Sequence, residues 1–261
     1  AFITFGLPKN QKTNTKTPTP AFTNRNLREE EIPAVSLVAE NLEVPWALAF
    51  FPDGRILVTE RPGRVSVIDK NGQVSQLANI DTRTLSESGL HGIALDPDFS
   101  SNKYVYLYYT YSDDNSNTLN RVVRYKFENE KLTEDKIIVD QIPGAPNHDG
   151  GRIKFGPDGF LYVTTGDAQE PSLAQDRNSL AGKILRVTSD GDPAPGNPFG
   201  TRIYSYGHRN PQGITWGRTE RSEGDRLRAG ARQRWELWET EHGSSATDEL
   251  NLITPGKNYG W

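Results

Sequence analysis

The chain has 261 residues, 34% of them hydrophobic, and no Cys, which removes disulfides, thiolate nucleophiles, Cys-ligated zinc and iron–sulfur clusters together. The formal net charge of −4 is unevenly spread: residues 1–28 hold Lys9, Lys12, Lys16, Arg25 and Arg28 and no acid, leaving 25 basic against 34 acidic residues in the remainder. An acidic body lacks the basic face that phosphate contacts require, so nucleic acid is excluded as a partner, and no run approaches the ~18 apolar residues of a membrane span.

The start, Ala1-Phe2-Ile3-Thr4-Phe5-Gly6-Leu7, reads either as the tail of an export signal or membrane anchor or as an ordinary frayed terminus. Residues 8–24 are polar, basic and punctuated by Pro, with no apolar period, and read as a linker. Residues 1–30 are therefore set apart from a domain over 31–261. The chain contains no Met, so a processed or partial product is expected.

From Val35 onward, short runs rich in Val, Ile, Tyr and Phe alternate with turn signals such as Pro-Asp-Gly and Asn-Gly, which predicts an all-β fold with little helix. The strands expected are 56–59, 65–68, 104–109, 122–125 and 161–164. They belong to a repeat. Ala47 to Thr59 matches Gly151 to Val163 in pattern, Gly92 to Phe99 is another copy, and a weaker one opens at Gly213 and resumes at Leu237. Such a period in an all-β chain indicates propeller blades, each a four-stranded sheet that cannot bury its face alone; the alternative is a large sandwich with coincidental turns. In a propeller, equivalent strands end around the axis. The polar residues after them, Glu60-Arg61, Gly166-Asp167 and Glu241-His242-Gly243, are expected to ring an axial pocket.

The four histidines, His91, His148, His208 and His242, are each expected at a turn or blade edge. His148, on the Gly-flanked run Asn147-His148-Asp149-Gly150-Gly151-Arg152, is the general-base candidate, the alternative being a solvated turn histidine. Arg209 and Asn210, in Gly207-His208-Arg209-Asn210-Pro211-Gln212-Gly213, offer a guanidinium fork and an amide suited to gripping carboxylates or polarising an oxygen. Glu241-His242-Gly243-Ser244 with Asp248-Glu249 offers hard oxygen donors for a cation such as Ca²⁺. The Asp113–Asn117 and Asp190–Asp192 stretches read as oxygen-ligand loops or as solvated turns. No nucleotide, phosphate-loop, zinc-protease or serine-nucleophile motif is present.

Together with Val44-Pro45-Trp46 and Gly89-Leu90-His91-Gly92, these motifs and their order resemble the soluble quinoprotein glucose/sorbosone dehydrogenase family, nearest its aldose sugar dehydrogenase branch, from about Val35 to Trp261. The resemblance implies a six-bladed propeller, about four blades of which fall in this sequence, holding pyrroloquinoline quinone (PQQ) and Ca²⁺ on its axis. The implied reaction is oxidation of the C1 hydroxyl of an aldose sugar to a lactone, with hydride transfer to the quinone. His148 then corresponds to the base, Asp167 to the acid that supports it and meets the sugar, and Arg209 to the cation that stabilises charge growing on the quinone. Asn210 and His242 correspond to further cofactor contacts, Glu87 to a sugar contact, and Gly243, Ser244 and Asp248 to the metal ligands. An external electron acceptor, export to the periplasm or cell exterior and a homodimer are in keeping with the family.

Two departures stand out. Ser244 replaces a Pro common in relatives, and Arg218–Arg234 carries six Arg in 17 residues, which reads as a basic insertion or as sequence out of frame. Other functions left open are a Ca²⁺-dependent propeller lactone hydrolase and a non-catalytic propeller that binds carbohydrate or protein.

Overall fold

The computed structural model describes residues 36–218 and 235–261, so the linker over 1–30 and most of the Arg-rich stretch lie outside the described residues. Contacts divide the chain after Leu37, and the unit from Val38 to Trp261 holds all fifteen strands seen among the described residues.

The predicted repeat becomes four antiparallel sheets, each a blade of an all-β propeller. The first comprises β1 (Pro45–Phe50), β2 (Ile56–Glu60), β3 (Arg64–Ile68) and β4 (Val74–Asn79), in that order. The second comprises β5 (Leu90–Leu95), β6 (Tyr104–Ser112), β7 (Thr118–Glu128) and β8 (Lys131–Pro143). β9 (Ile153–Phe155), β10 (Leu161–Thr165), β11 (Lys183–Val187) and β12 (Ile203–Tyr206) form the third. β13 (Pro211–Arg218), β14 (Trp235–Glu241) and β15 (Glu249–Ile253) form the fourth, three-stranded among the described residues. Every expected strand lies inside one of these. Among the described residues helix is confined, as expected, to α1 (Phe99–Asn102) and α2 (Pro171–Gln175).

The Pro-Asp-Gly punctuation explains why the chain reverses where it does. In the first blade Asp53 Oδ1 accepts the Arg55 backbone N–H at 3.0 Å, and Gly54 takes φ +90°, a conformation only glycine adopts without strain. Asp158 and Gly159, at φ +80°, repeat the device between β9 and β10.

Between successive blades lie three apolar layers. Leu57 and Val65 of the first blade meet Leu107 and Val123 of the second, with Phe51, Phe99 and Phe127 at the rim. Tyr106, Tyr108 and Val122 of the second meet Leu161, Val163 and Leu185 of the third. Tyr162 and Ile184 of the third meet Ile214, Leu237 and Ile253 of the fourth. Each sheet covers one face of its neighbour, which is why no blade folds usefully alone. The first strands follow one another in space, β5 against β1 and β9 against β5, and so bring the turns after them together.

Two expectations are corrected here. His91 lies inside β5 rather than at a turn, 2% exposed, its ring stacked 4.8 Å from Trp46 and 6.0 Å from Tyr108. The local sequence Gly89-Leu90-His91-Gly92 resembles a turn because its glycines are needed for close approach: a Cβ on Gly92 would sit 2.2 Å from the Gly151 carbonyl. Glu60 does not join the axial ring either. Its buried carboxylate is consumed by the Arg64 guanidinium, the Ser66 hydroxyl and the Glu43 N–H.

Candidate active site

His148 stands in the loop between β8 and β9 at φ +65°, a left-handed conformation that costs a non-glycine residue free energy unless its surroundings hold it. They do so from three sides. The His148 N–H donates to Glu87 Oε2 at 3.2 Å, its carbonyl accepts the Ala168 N–H at 3.2 Å, and its Nδ1 lies 2.8 Å from Asp167 Oδ1. A carboxylate can only accept, so Nδ1 carries the proton and the Nε2 lone pair is left outward. Gly166 makes the approach possible, because a Cβ there would fall 1.8 Å from the His148 carbonyl oxygen.

Asp167 follows β10 and is fully buried. Its Oδ1 also accepts the Gln169 N–H at 2.8 Å, its Oδ2 accepts the indole N–H of Trp261 at 2.5 Å, and its own N–H donates to the Arg209 carbonyl at 2.8 Å. The acid is held at both oxygens and from its backbone, so the imidazole it supports has one orientation.

Arg209 and Asn210 lie between β12 and β13, where the motif placed them. The Arg209 guanidinium donates from Nη1 to the His242 carbonyl at 3.1 Å and sits 5.3 Å from the centre of the Trp261 ring, while its Nε is buried with no partner. Asn210 spends its side-chain oxygen inside the protein, accepting from Gly150 N at 3.1 Å and Gln212 Nε2 at 2.8 Å, which leaves the NH₂ end as the group it can offer outward. Glu87, His148, Asp167, Arg209 and Asn210, drawn from four inter-strand loops, are thus linked into one site.

The expected metal ligands occupy the turn between β14 and β15. Asp248 Oδ1 accepts the Gly243 N–H at 3.2 Å and stands 3.7 Å from His242 Nδ1, while the Ser244 carbonyl accepts the Thr247 N–H at 3.2 Å. This turn touches the rest of the site through Arg209 and the His242 carbonyl. The other acidic loops are solvated turns: Asp113 accepts from Asn115 and Asn117 within its own turn, and Asp190 pairs with Arg124 and Lys136.

Three features escaped the sequence. Trp261 belongs to no motif in the sequence, and its contacts come only from the fold. Asp149, next to the base, is buried beneath it, its Oδ1 accepting from Asn120 Nδ2 at 2.9 Å and the Ala145 N–H at 3.1 Å, and burial pushes its carboxyl up to about 6. Glu241, expected on the axial ring, turns inward: its Oε2 lies 2.9 Å from His208 Nδ1 and its Oε1 accepts the Arg209 N–H, so it shapes the Arg209 loop from behind.

Comparison with known proteins agrees with this arrangement. The glucose/sorbosone dehydrogenase family matches residues 42–261. Aldose sugar dehydrogenase YliI of Escherichia coli is 33% identical over 242 residues, which cover 87% of this chain and 61% of that protein. Quinoprotein glucose dehydrogenase B of Acinetobacter calcoaceticus is 29% identical over 260 residues, covering 86% and 51%. The PQQ-bound structure of aldose sugar dehydrogenase from Streptomyces coelicolor matches with a TM-score of 0.76 at 42% identity, over 87% of this chain and 65% of that one. The chain spans between half and two thirds of the length of these relatives. Since the family match takes in all fifteen strands and every site residue named above, the chain belongs to the glucose/sorbosone dehydrogenase family.

Proposed function

We propose that this chain contributes the catalytic base and one wall of the cofactor pocket to a PQQ-dependent sugar dehydrogenase that oxidises the C1 hydroxyl of an aldose to the lactone. The observation that carries the reading is His148, whose Nδ1 is fixed by Asp167 and whose Nε2 stays unbonded in a site that also holds Arg209.

The residues fit the cofactor. Arg209 Nε is a buried donor without an acceptor, and the Asn210 NH₂ is the free end of an otherwise fixed amide; a flat quinone bearing carbonyl and carboxylate oxygens supplies acceptors for both. The carbonyls of Gly243 and Ser244 and the Asp248 carboxylate are hard oxygen donors that would hold Ca²⁺. When bound, the quinone supplies the two-electron acceptor for the hydride leaving C1, and the cation beside it adds positive charge.

The chain's own residues do the rest. His148 Nε2 takes the proton of the C1 hydroxyl, and Asp167 steadies the imidazolium that forms. Arg209 presents fixed positive charge where negative charge develops, which costs no reorganisation during the reaction. Glu87, bonded to the His148 N–H, stands beside the base as an acceptor for sugar hydroxyls, whereas Asp167, expected to meet the sugar as well, is fully buried with both oxygens bonded and acts through the imidazole.

Further parts of the reading concern the whole protein. Leu48 and Phe50 on β1, and Leu250 and Leu252 on β15, are exposed apolar side chains on the two outer sheets, which supports two more blades covering them in a six-bladed ring. Export, an external electron acceptor and a homodimer accord with the family.

The test is an absorbance titration of PQQ into the purified chain with Ca²⁺ or with chelator, followed by an aldose. Saturable, Ca²⁺-dependent binding and bleaching by sugar are expected. Absence of binding both in this chain and in a version extended by its remaining blades overturns the reading, and PQQ binding that survives His148→Ala without sugar-driven bleaching separates a dehydrogenase from a binding scaffold.

A further inference from the structure

Behind the Arg209 loop, His208, Glu239 and Glu241 each bring one ligand atom to within 4.8 Å of the others, and all three side chains are buried. Glu239 and Glu241 lie two residues apart on β14, so the alternation of the strand sends both carboxylates to the face that packs on the third blade. His208 reaches them from the loop after β12. Glu239 is 1% exposed; its Oε2 accepts from Asn251 Nδ2 at 3.2 Å, and its Oε1 is buried with no partner at all. Among the described residues no Lys or Arg side chain bonds either carboxylate; the Arg209 contact to Glu241 is through its backbone N–H. Two acids and an orphaned acceptor in a buried interface are held only with a proton or a cation to neutralise them.

We propose that a divalent transition-metal ion binds between His208, Glu239 and Glu241, pinning the loop that carries Arg209 and Asn210 to the fourth blade. One imidazole nitrogen with two carboxylates suits zinc or manganese, whereas calcium takes oxygen ligands. The second ring nitrogen already has its support: Ser205 Oγ lies 2.9 Å from His208 Nε2 and can accept a hydrogen bond from it, so once the ion displaces the Nδ1 proton the ring keeps its orientation in the other tautomer. Nδ1 and Glu241 Oε2 are 2.9 Å apart. Two tetrahedral zinc ligands at about 2.0–2.1 Å stand roughly 3.3 Å apart, so this pair opens slightly, while Glu239 swings in by about 1.5 Å and gives its unbonded oxygen a partner. The ion takes the place of the proton between His208 and Glu241, and a water completes the tetrahedron. The site is separate from the Gly243–Asp248 turn, and its claim stands whether or not PQQ is the cofactor.

The experiment strips the chain with chelator, returns Zn²⁺ by equilibrium dialysis with metal analysis, and repeats the titration with Co²⁺ to read its visible bands. One Zn²⁺ per chain and tetrahedral Co²⁺ bands are expected in the unaltered protein and in His242→Gln, which removes the exposed imidazole near Asp248. Glu239→Gln, an amide of the same shape, weakens binding at least about tenfold, and Ser205→Ala, which leaves all three ligands in place, weakens it about tenfold by freeing the imidazole. No bound equivalent in the unaltered chain, undiminished binding in the Glu239 and Ser205 variants, or binding that follows His242 instead overturns the proposal.

Discussion

His148 and His208 each face a carboxylate, across 2.8 and 2.9 Å, and their surroundings differ in every other respect. His148 sits on a left-handed turn with its far nitrogen unbonded and its side chain 17% exposed. His208 is sealed, its far nitrogen against Ser205 Oγ and its ring stacked 4.8 Å from Tyr259. A carboxylate partner therefore does not make a histidine a base. It fixes the tautomer in both cases, and only the imidazole that keeps exposed surface and an unbonded second nitrogen can exchange a proton with anything.

Removing each ring breaks the comparison most sharply. His148→Ala is expected to lower turnover in a PQQ-loaded dye-reduction assay by ~10²–10⁴-fold with a smaller stability loss of about 1–2 kcal/mol, since Asp167 keeps its Gln169 and Trp261 donors. His208→Ala is expected to do the reverse, lowering stability by about 3–5 kcal/mol in urea unfolding because it leaves the buried Glu241 without its partner. Equal stability losses in the two variants would show that the contrast is mistaken.

A third histidine sharpens the contrast through pH. His91 is as buried as His208 but meets no carboxylate, and burial pulls it down to about 4; Asp149 nearby is pushed up to about 6. Below pH 6.5 the unfolded chain protonates His91 and the native chain does not, so this group makes stability fall as pH drops from 6.5 toward 4. Asp149 acts oppositely: the native state keeps a proton that the unfolded state loses near its ordinary 3.8, so stability falls as pH rises from there toward 6. The two slopes oppose each other between pH 4 and 6. Relative to the unaltered chain, Asp149→Asn is expected to gain stability with rising pH across that window, and His91→Phe to lose it, each by on the order of 3 kcal/mol. Urea midpoints at four pH values check this, and parallel profiles for all three proteins refute it.

The smallest effect belongs to Trp261→Phe. The ring that faces Arg209 is kept and the N–H to Asp167 is lost, so turnover is expected to fall roughly tenfold with little change in PQQ affinity, the equivalent of about 1.4 kcal/mol for one hydrogen bond to a charged group. A larger loss of PQQ binding than of turnover would assign Trp261 to the cofactor instead.

The blades were legible because their signal is local: β-branched and aromatic runs with Pro-Asp-Gly or Asn-Gly between them, repeated. His148, Asp167, Arg209 and Asn210 were legible because each sits in a short string of glycines and polar residues at a strand end. Trp261 was not, since its partner Asp167 is 94 residues away and nothing near either one records the contact. His91 was misplaced because the glycines beside it serve close packing between blades, a use that looks the same in sequence as a turn. Glu239 carries no signal of its own: a Glu on an alternating strand reads as a solvent-facing residue, and only the packing of the third blade on the fourth shows that it points inward.

The stack around His91 also bears on the order in which the protein can be made. Trp46 comes from the first blade and His91 and Tyr108 from the second, while the Arg152 guanidinium that covers the Trp46 ring at 4.1 Å comes from the segment leading into the third. A chain leaving the ribosome completes the two earlier blades before residue 152 emerges. Until then Trp46 lacks one of its covering groups and the second blade has an uncovered apolar face, so the nascent protein passes through a stage in which it is most open to chaperones and to wrong pairing.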